Sequence, residues 1–248
     1  MKKPVATFLL AGIVAAICFV FLPQALAQEA APPNQAHISA LDVIKAGGTI
    51  GYIIILLSFI AMGLIVENLI TLRSSALVPK QFLVELFQLI EKGAYGQARE
   101  FCSAGESYIA KIMEVSLARR GLGAEAMLRA GEEAIREETT KLVHKTGLLY
   151  LIASIAPMLG LLGTVVGLIM AFFTIAQTSG PATPAKLAGP IMVALVTTAD
   201  GLVVAIPALI AYYFFQSKIT RVSIEAGAFL DQLLTPLQRR AKAQERSS

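Results

Sequence analysis

The sequence predicts an all-α integral membrane protein with three transmembrane helices per subunit and long helical cytoplasmic extensions. Three observations carry this. Of 248 residues, 56% are hydrophobic and only 15% charged, with a mean hydropathy of +0.68, whereas soluble domains are about a quarter charged. The apolar residues are gathered into uncharged runs rather than spread along the chain. The basic residues gather in the segments that alternate with those runs, which is a topology signal. Such a composition excludes a disordered chain. The net charge of +4 is too small to point to nucleic acid, and no nucleic-acid partner is expected.

The first uncharged run follows Lys2 and Lys3 and ends in Ala25-Leu26-Ala27. A basic start, an apolar stretch and a small-x-small site predict a signal peptide over residues 1–27, cleaved after Ala27. Residues 28–47 are expected in the periplasm. They form a tether containing Pro32 and Pro33, then a short amphipathic helix with Ile38, Leu41 and Ile44 on one face.

Between Lys45 and Glu67 about 21 residues carry no charge, enough to cross about 30 Å of hydrocarbon. This predicts the first span, over 48–70. The uncharged run between Lys145 and Lys186 is about 40 residues long, too long for one span. Turn chemistry at Ser179-Gly180-Pro181 and Pro184 divides it. The second span is therefore placed at 147–176, a periplasmic loop at 177–189 and the third span at 190–216.

The segment 71–146 holds eleven basic residues from Arg73 to Lys145, and the tail 217–248 holds six from Lys218 to Arg246. The mature N-terminal segment has only Lys45 and the loop between the second and third spans only Lys186. This asymmetry puts the N-terminus in the periplasm and the C-terminus in the cytoplasm of an inner-membrane protein. The cytoplasmic segment reads as helices, broken near Gly93–Gly96 and again at Gly121 and Gly123. From Ala124 one long helix is expected to run into the second span. Cytoplasmic Cys102 is expected as a reduced thiol.

Catalytic chemistry has nothing to stand on. No phosphate-cradling GxxxxGK[ST] occurs, and His37 and His144 fall on opposite sides of the membrane. Glu132, Glu133, Glu137 and Glu138 lie among Arg129, Arg136 and Lys141, which suits a charged helix stripe better than a carboxylate pair. The chain is read as no enzyme, with no metal and no cofactor.

The membrane helices carry the signal instead. In the second span Gly160, Gly163 and Gly167 fall at i, i+3 and i+7, a groove that admits a close neighbour. Pro157 removes one backbone hydrogen bond and is expected to kink the helix. In the third span Asp200 lies about 15 Å deep, a position that marks a functional site unless the carboxyl is a protonated structural group bonded to Thr197 or to a hydroxyl of the second span. Thr164 and Thr198 come to similar depths in antiparallel helices, so repeated subunits would form a polar belt in an apolar tube. Asp200 is two residues from Thr198 and points to another side of the helix.

The residues from Ala156-Pro157 through Gly160, Gly163-Thr164 and Gly167, with Ala194 through Thr197-Thr198, Asp200-Gly201, Ala205 and Pro207-Ala208, resemble the MotA/TolQ/ExbB proton-channel family, most nearly its ExbB branch. Glu91 to Cys102 is also similar to the loop of that family. The resemblance covers about residues 40–235. It implies a homopentamer around a dimer of a single-span ExbD-like partner, with protons or Na+ as the coupling ion. A TonB-like protein would receive the work, so that proton motive force energises outer-membrane transport. It assigns Thr164 and Thr198 to the pore lining; Thr197 and Asp200 are taken with them as candidate ion-pathway residues from their place in the third span. Pro157, Gly160, Gly163, Gly167, Gly201 and Pro207 are helix-packing positions. One departure stands out: enteric relatives carry a glutamate five residues before the second threonine, where this chain has Val193. Other readings are a TolQ-like, gliding or flagellar-type stator with a different load, and a structural scaffold among membrane lipids. The short cytoplasmic segment disfavours the flagellar load, and a solute transporter lacks its internal repeat.

Overall fold

The computed structural model describes residues 48–73, 77–178 and 183–245. The expected signal peptide, tether and amphipathic helix lie outside the described residues, as does part of the loop between the second and third spans. Among the described residues the chain is helical, with no strand. The elements are α1 (Gly48–Thr71), α2 (Lys80–Glu91), α3 (Tyr95–Ser103), α4 (Tyr108–Ala118), a 3-10 turn (Arg120–Leu122), α5 (Ala124–Gln177) and α6 (Pro184–Glu245). Helices α1, α5 and α6 are each long and apolar enough to cross a membrane. Their large side chains are widely exposed, among them Phe59, Leu161, Phe172 and Leu195. Such surfaces need lipid or further protein to cover them, and the chain is a multi-pass membrane protein.

Helix α5 has 54 residues and α6 has 62, whereas a span needs about 20. The expected uninterrupted run from Ala124 into the second span is present, with Pro157 inside it. Helix α6 differs from its expected limits. It starts at Pro184, where a missing N–H costs nothing in the first turn, and continues beyond Gln216 to Glu245. The described part of the expected tail is thus a continuation of the helix.

The chain divides into two compact units, 1–65 with 148–212 and 66–147 with 213–248. In the second unit α6 buries Phe215, Ile219, Val222, Ala226, Leu230 and Leu233. These recur every three or four residues, which keeps one face of a helix against its neighbours. Helices α4 and α5 add Ile109, Ile112, Met113 and Met127, all essentially without solvent contact. Each such side chain contributes about 1.5–3 kcal/mol of burial. A Cβ on Gly131 would meet the Leu230 side chain at 2.5 Å, so α5 and α6 approach closely there as well.

Polar groups join the small helices to α5. Ser116 Oγ donates to the Met127 carbonyl at 2.9 Å, and Tyr108 Oη shares a 2.8 Å hydrogen bond with Thr139 Oγ1. Ser107 caps α4 by accepting from the Ala110 amide at 3.3 Å. Helix α2 gives way to α3 at Gly93, whose φ of +75° suits glycine. Gly96, expected in that break, already lies inside α3. The acidic stripe of α5 is ion-paired along the helix: Glu125 with Arg129 at 2.7 Å and Glu137 and Glu138 with Lys141 at 2.8 and 2.7 Å.

Cys102 is fully buried. Burial, with a smaller contribution from the Glu114 charge, pushes its thiol up to about 12. Thiolate is the reactive form, so raising the pH from 7 to 9 leaves the folded thiol protonated. Maleimide labelling mapped to the Cys102 peptide should be negligible in the native protein at pH 8 and complete after denaturation. Fast native labelling would show that this core opens.

Candidate functional site

The first unit brings the second and third spans together along a stripe of small residues. Helix α5 contributes Ala156, Gly160, Gly163 and Gly167, at intervals of four, three and four. Helix α6 contributes Pro190, Ala194, Thr197 and Gly201 at the same intervals. At this spacing each set falls on one helix face. A Cβ added to Gly201 would stand 2.6 Å from the Ala156 carbonyl oxygen. On Gly160 it would stand 2.9 Å from the Thr197 carbonyl oxygen, and on Gly167 2.7 Å from that of Pro190. These neighbours are backbone atoms, which cannot swing away as a side-chain tip can. On Gly163 it would collide with the Thr197 side chain.

The threonines divide according to this contact. Thr197, expected on the ion pathway, is fully buried against Gly163. Its Oγ1 donates within its own helix to the carbonyls of Val193 and Ala194, 3.0 Å from each. The helix rotation that seats the glycine groove turns the Thr197 side chain into it. Thr198, one residue on and about 100° around the helix, sits at the edge of the stripe. Its Oγ1 lies 3.2 Å from the Ala194 carbonyl and 3.3 Å from the Gly160 carbonyl of the facing helix. Thr164, half-buried, donates to the Leu161 carbonyl at 2.6 Å.

Because Thr198 meets Gly160, Thr164 lies one turn along α5 from that level, about 6 Å. The two hydroxyls are neighbouring steps rather than one ring. Each hydroxyl proton is directed at a backbone carbonyl, which leaves oxygen lone pairs as the groups available to a visitor. Such a strip suits a cation or a hydrogen-bond donor.

Asp200 is half-buried, on another side of α6 from Thr198. Among the described residues it makes no hydrogen bond or ion pair, and the hydroxyl of Thr197 is directed at its own helix. A carboxyl bonded to Thr197 is therefore not the arrangement present. Pro157 and Pro207 lie within continuous helices. Among the described residues no cluster of three or more His, Cys, Asp or Glu side chains could hold a metal ion.

The structure thus joins Gly160, Gly163, Gly167, Gly201, Thr197 and Thr198 in one seam and leaves Thr164 and Asp200 outside it. Sequence reasoning missed Pro190 and Ala194 as members, although their spacing from Thr197 and Gly201 carries the same small-residue signal. Gly201→Ala and Gly167→Ala should each destabilise the protein by about 1–3 kcal/mol through overpacking. Gly147→Ala and Gly189→Ala, where nothing lies within 4 Å of a new Cβ, should be neutral or stabilising. Thermal unfolding in detergent compares the four, and equal behaviour would contradict the seam.

Comparison with known proteins places the same region in a family. The family model for the MotA/TolQ/ExbB proton channel family matches residues 104–226, which contain both halves of the seam. The Tol-Pal system protein TolQ of Haemophilus influenzae is 31% identical over 149 residues, 60% of this chain and 64% of that protein. The biopolymer transport protein ExbB of Xanthomonas campestris pv. campestris is 41% identical over 105 residues, 42% of this chain and 41% of the relative. An ExbB homologue of Methanothermobacter thermautotrophicus is 29% identical over 182 residues, 73% of this chain and 64% of the relative. The chain thus spans less than two thirds of the length of each of these relatives. Family match, relatives and the paired spans agree in supporting the MotA/TolQ/ExbB proton channel family.

Proposed function

We propose that the protein is the inner-membrane ion-channel subunit of an ExbB–ExbD-type motor that uses the proton motive force to energise TonB-dependent outer-membrane transport. The observation that supports this most directly is the Thr198–Gly160 contact. It holds a hydroxyl at the edge of a close-packed helix pair, one turn from a second hydroxyl on Thr164. In this reading five copies form a ring around a dimer of an ExbD-like single-span partner. Thr164 and Thr198 line the inner wall, protons or Na+ pass along it, and a TonB-like protein takes up the movement. The N-terminus is periplasmic and the C-terminus cytoplasmic in this reading, which the distribution of basic residues supports.

Two hydroxyl steps do not make a relay across a bilayer, so a partner must bring the titrating carboxylate that completes the path. Each charge moved through 100 mV supplies about 2.3 kcal/mol, so several ions per cycle are needed for substantial work. A TolQ-like load is the second reading, favoured by the longer alignment with TolQ than with the Xanthomonas ExbB. Native mass spectrometry of the protein co-expressed with its single-span candidate is the deciding experiment. Five copies with two partner chains are expected, and a ring that binds no such partner would favour a scaffold.

The threonines give a second check. Thr164→Val and Thr198→Val should each lower ion flux in liposomes by roughly two- to tenfold, the worth of one hydrogen bond, with the oligomer intact. Thr197→Val should act on stability instead. Normal flux in both pathway variants would sink the polar-strip reading.

Asp200→Asn separates two roles for this carboxyl. Lost flux from an intact ring places Asp200 on the ion path. Loss of the ring makes it a subunit lock, and no change in either excludes both.

A further inference from the structure

Where the three uncharged runs end, the second unit brings the end of α1 to one level with the middle of α5 and of α6. Lys145 Nζ stands 2.8 Å from Glu67 Oε1 and donates to Thr71 Oγ1 at 3.5 Å. One residue along α5, Thr146 Oγ1 accepts from Gln216 Nε2 of α6 at 3.3 Å. These contacts fix where the next residues fall. Arg73 follows Thr71 by two positions and Lys218 follows Gln216 by two. The Arg73 guanidinium is close enough to Lys218 to oppose its charge.

Arg73 and Lys218 therefore lie near each other, and the carboxylate at this level, Glu67, is already held by Lys145. Among the described residues neither Arg73 nor Lys218 has an acidic ion-pair partner. The next cation along α6, Arg221, is taken by Glu225 at 3.1 Å. The residues next to the cluster along the three helices are shielded from solvent: Leu72, Thr146, Phe215 and Ile219 are all buried. Lys218 is only part-exposed, with Nζ 5.9 Å from the centre of the Phe214 ring. Two like charges beside such shielded residues repel each other more strongly than they would in open water.

We propose that Arg73 and Lys218 form a binding site for the phosphate headgroup of an anionic phospholipid. Position selects the ligand, because the cluster lies where the apolar runs end and headgroups begin. Basic pockets at such a level suit acidic headgroups. A phosphodiester offers two oxygens to the planar guanidinium fork and a further acceptor face to the ammonium. A zwitterionic headgroup would bring its own cation into a cluster that already has an excess of them. The proposal needs only the membrane placement of the helices and is independent of the ion-motor reading.

The test is native mass spectrometry of the full chain released from detergent containing equal phosphatidylglycerol and phosphatidylcholine. The wild type should retain phosphatidylglycerol up to about thirtyfold better, the size expected for two cations near an acidic headgroup. Arg73→Gln/Lys218→Gln should fall to the phosphatidylcholine level, and Arg73→Lys/Lys218→Arg should keep the preference. The pair Lys111→Gln/Arg119→Gln removes the same charge elsewhere and should change nothing. Equal retention of both lipids by the wild type, or equal loss in the two Gln pairs, overturns the proposal. Inorganic phosphate at millimolar concentration should not displace the lipid; if it does, the site takes free phosphate rather than a headgroup. Independently of any variant, a photoactivatable phosphatidylglycerol should cross-link to peptides containing residues 67–73 or 212–221, and adducts confined elsewhere would refute the site.

Discussion

Two helices in lipid gain nothing from hiding apolar surface, because the solvent they leave is as apolar as they are. The contact between the second and third spans therefore has to come from close approach itself. In this chain it comes from backbone lying against backbone. Gly201 admits the carbonyl of Ala156, Gly160 admits that of Thr197, and Gly167 that of Pro190. A single methyl at any of these points would part the helices. Every other property of the site follows from that seam, because the seam fixes the rotation of each helix and so decides which side chains face inward.

The rotation sorts three polar residues that lie within four positions of one another. Thr197 is turned into the seam and closed off. Thr198 is left at its edge, touching the facing helix through the Gly160 carbonyl. Asp200 is carried round to a different side. A hydroxyl in a membrane helix commonly donates to its own backbone, and all three threonines of the two spans near this level do so. What they present outward is therefore oxygen without a spare proton. That is an environment in which a cation can rest, and one that offers an anion no donor.

Much of this was legible in the sequence, for a physical reason. Uncharged runs and glycine spacing are statements about what is absent from a residue, and absence needs no partner to be read. The division between Thr197 and Thr198 was not legible. Adjacent residues differ by about 100° around the axis, and which of them enters the groove depends on how the facing helix is turned. The continuation of α6 beyond Gln216 was hidden for another reason. Between Lys218 and Leu233 charged residues lower the average hydropathy, while Ile219, Val222, Ala226, Leu230 and Leu233 keep the interval of a buried helix face. Periodicity rather than hydropathy was the signal there. The meeting of Arg73 with Lys218 had no local signal at all, since it depends on where α1 ends against two helices that run on.

Val193 and Asp200 bear on the choice of ion. The carboxylate that enteric relatives place five residues before the second threonine is missing here, and the acid of this helix lies beyond that threonine instead. Under the ion-channel reading, a sodium ion would need several oxygens gathered around it to replace its water. Among the described residues Asp200 makes no hydrogen bond or ion pair from which such a cage could begin. A proton needs only one basic oxygen and a route for its release, and a lone carboxyl satisfies the first condition without help. The same geometry means that the second condition must be met from outside, by a neighbouring subunit, a partner helix or water. On that reading Asp200 belongs to a path that this chain shares with another rather than contains.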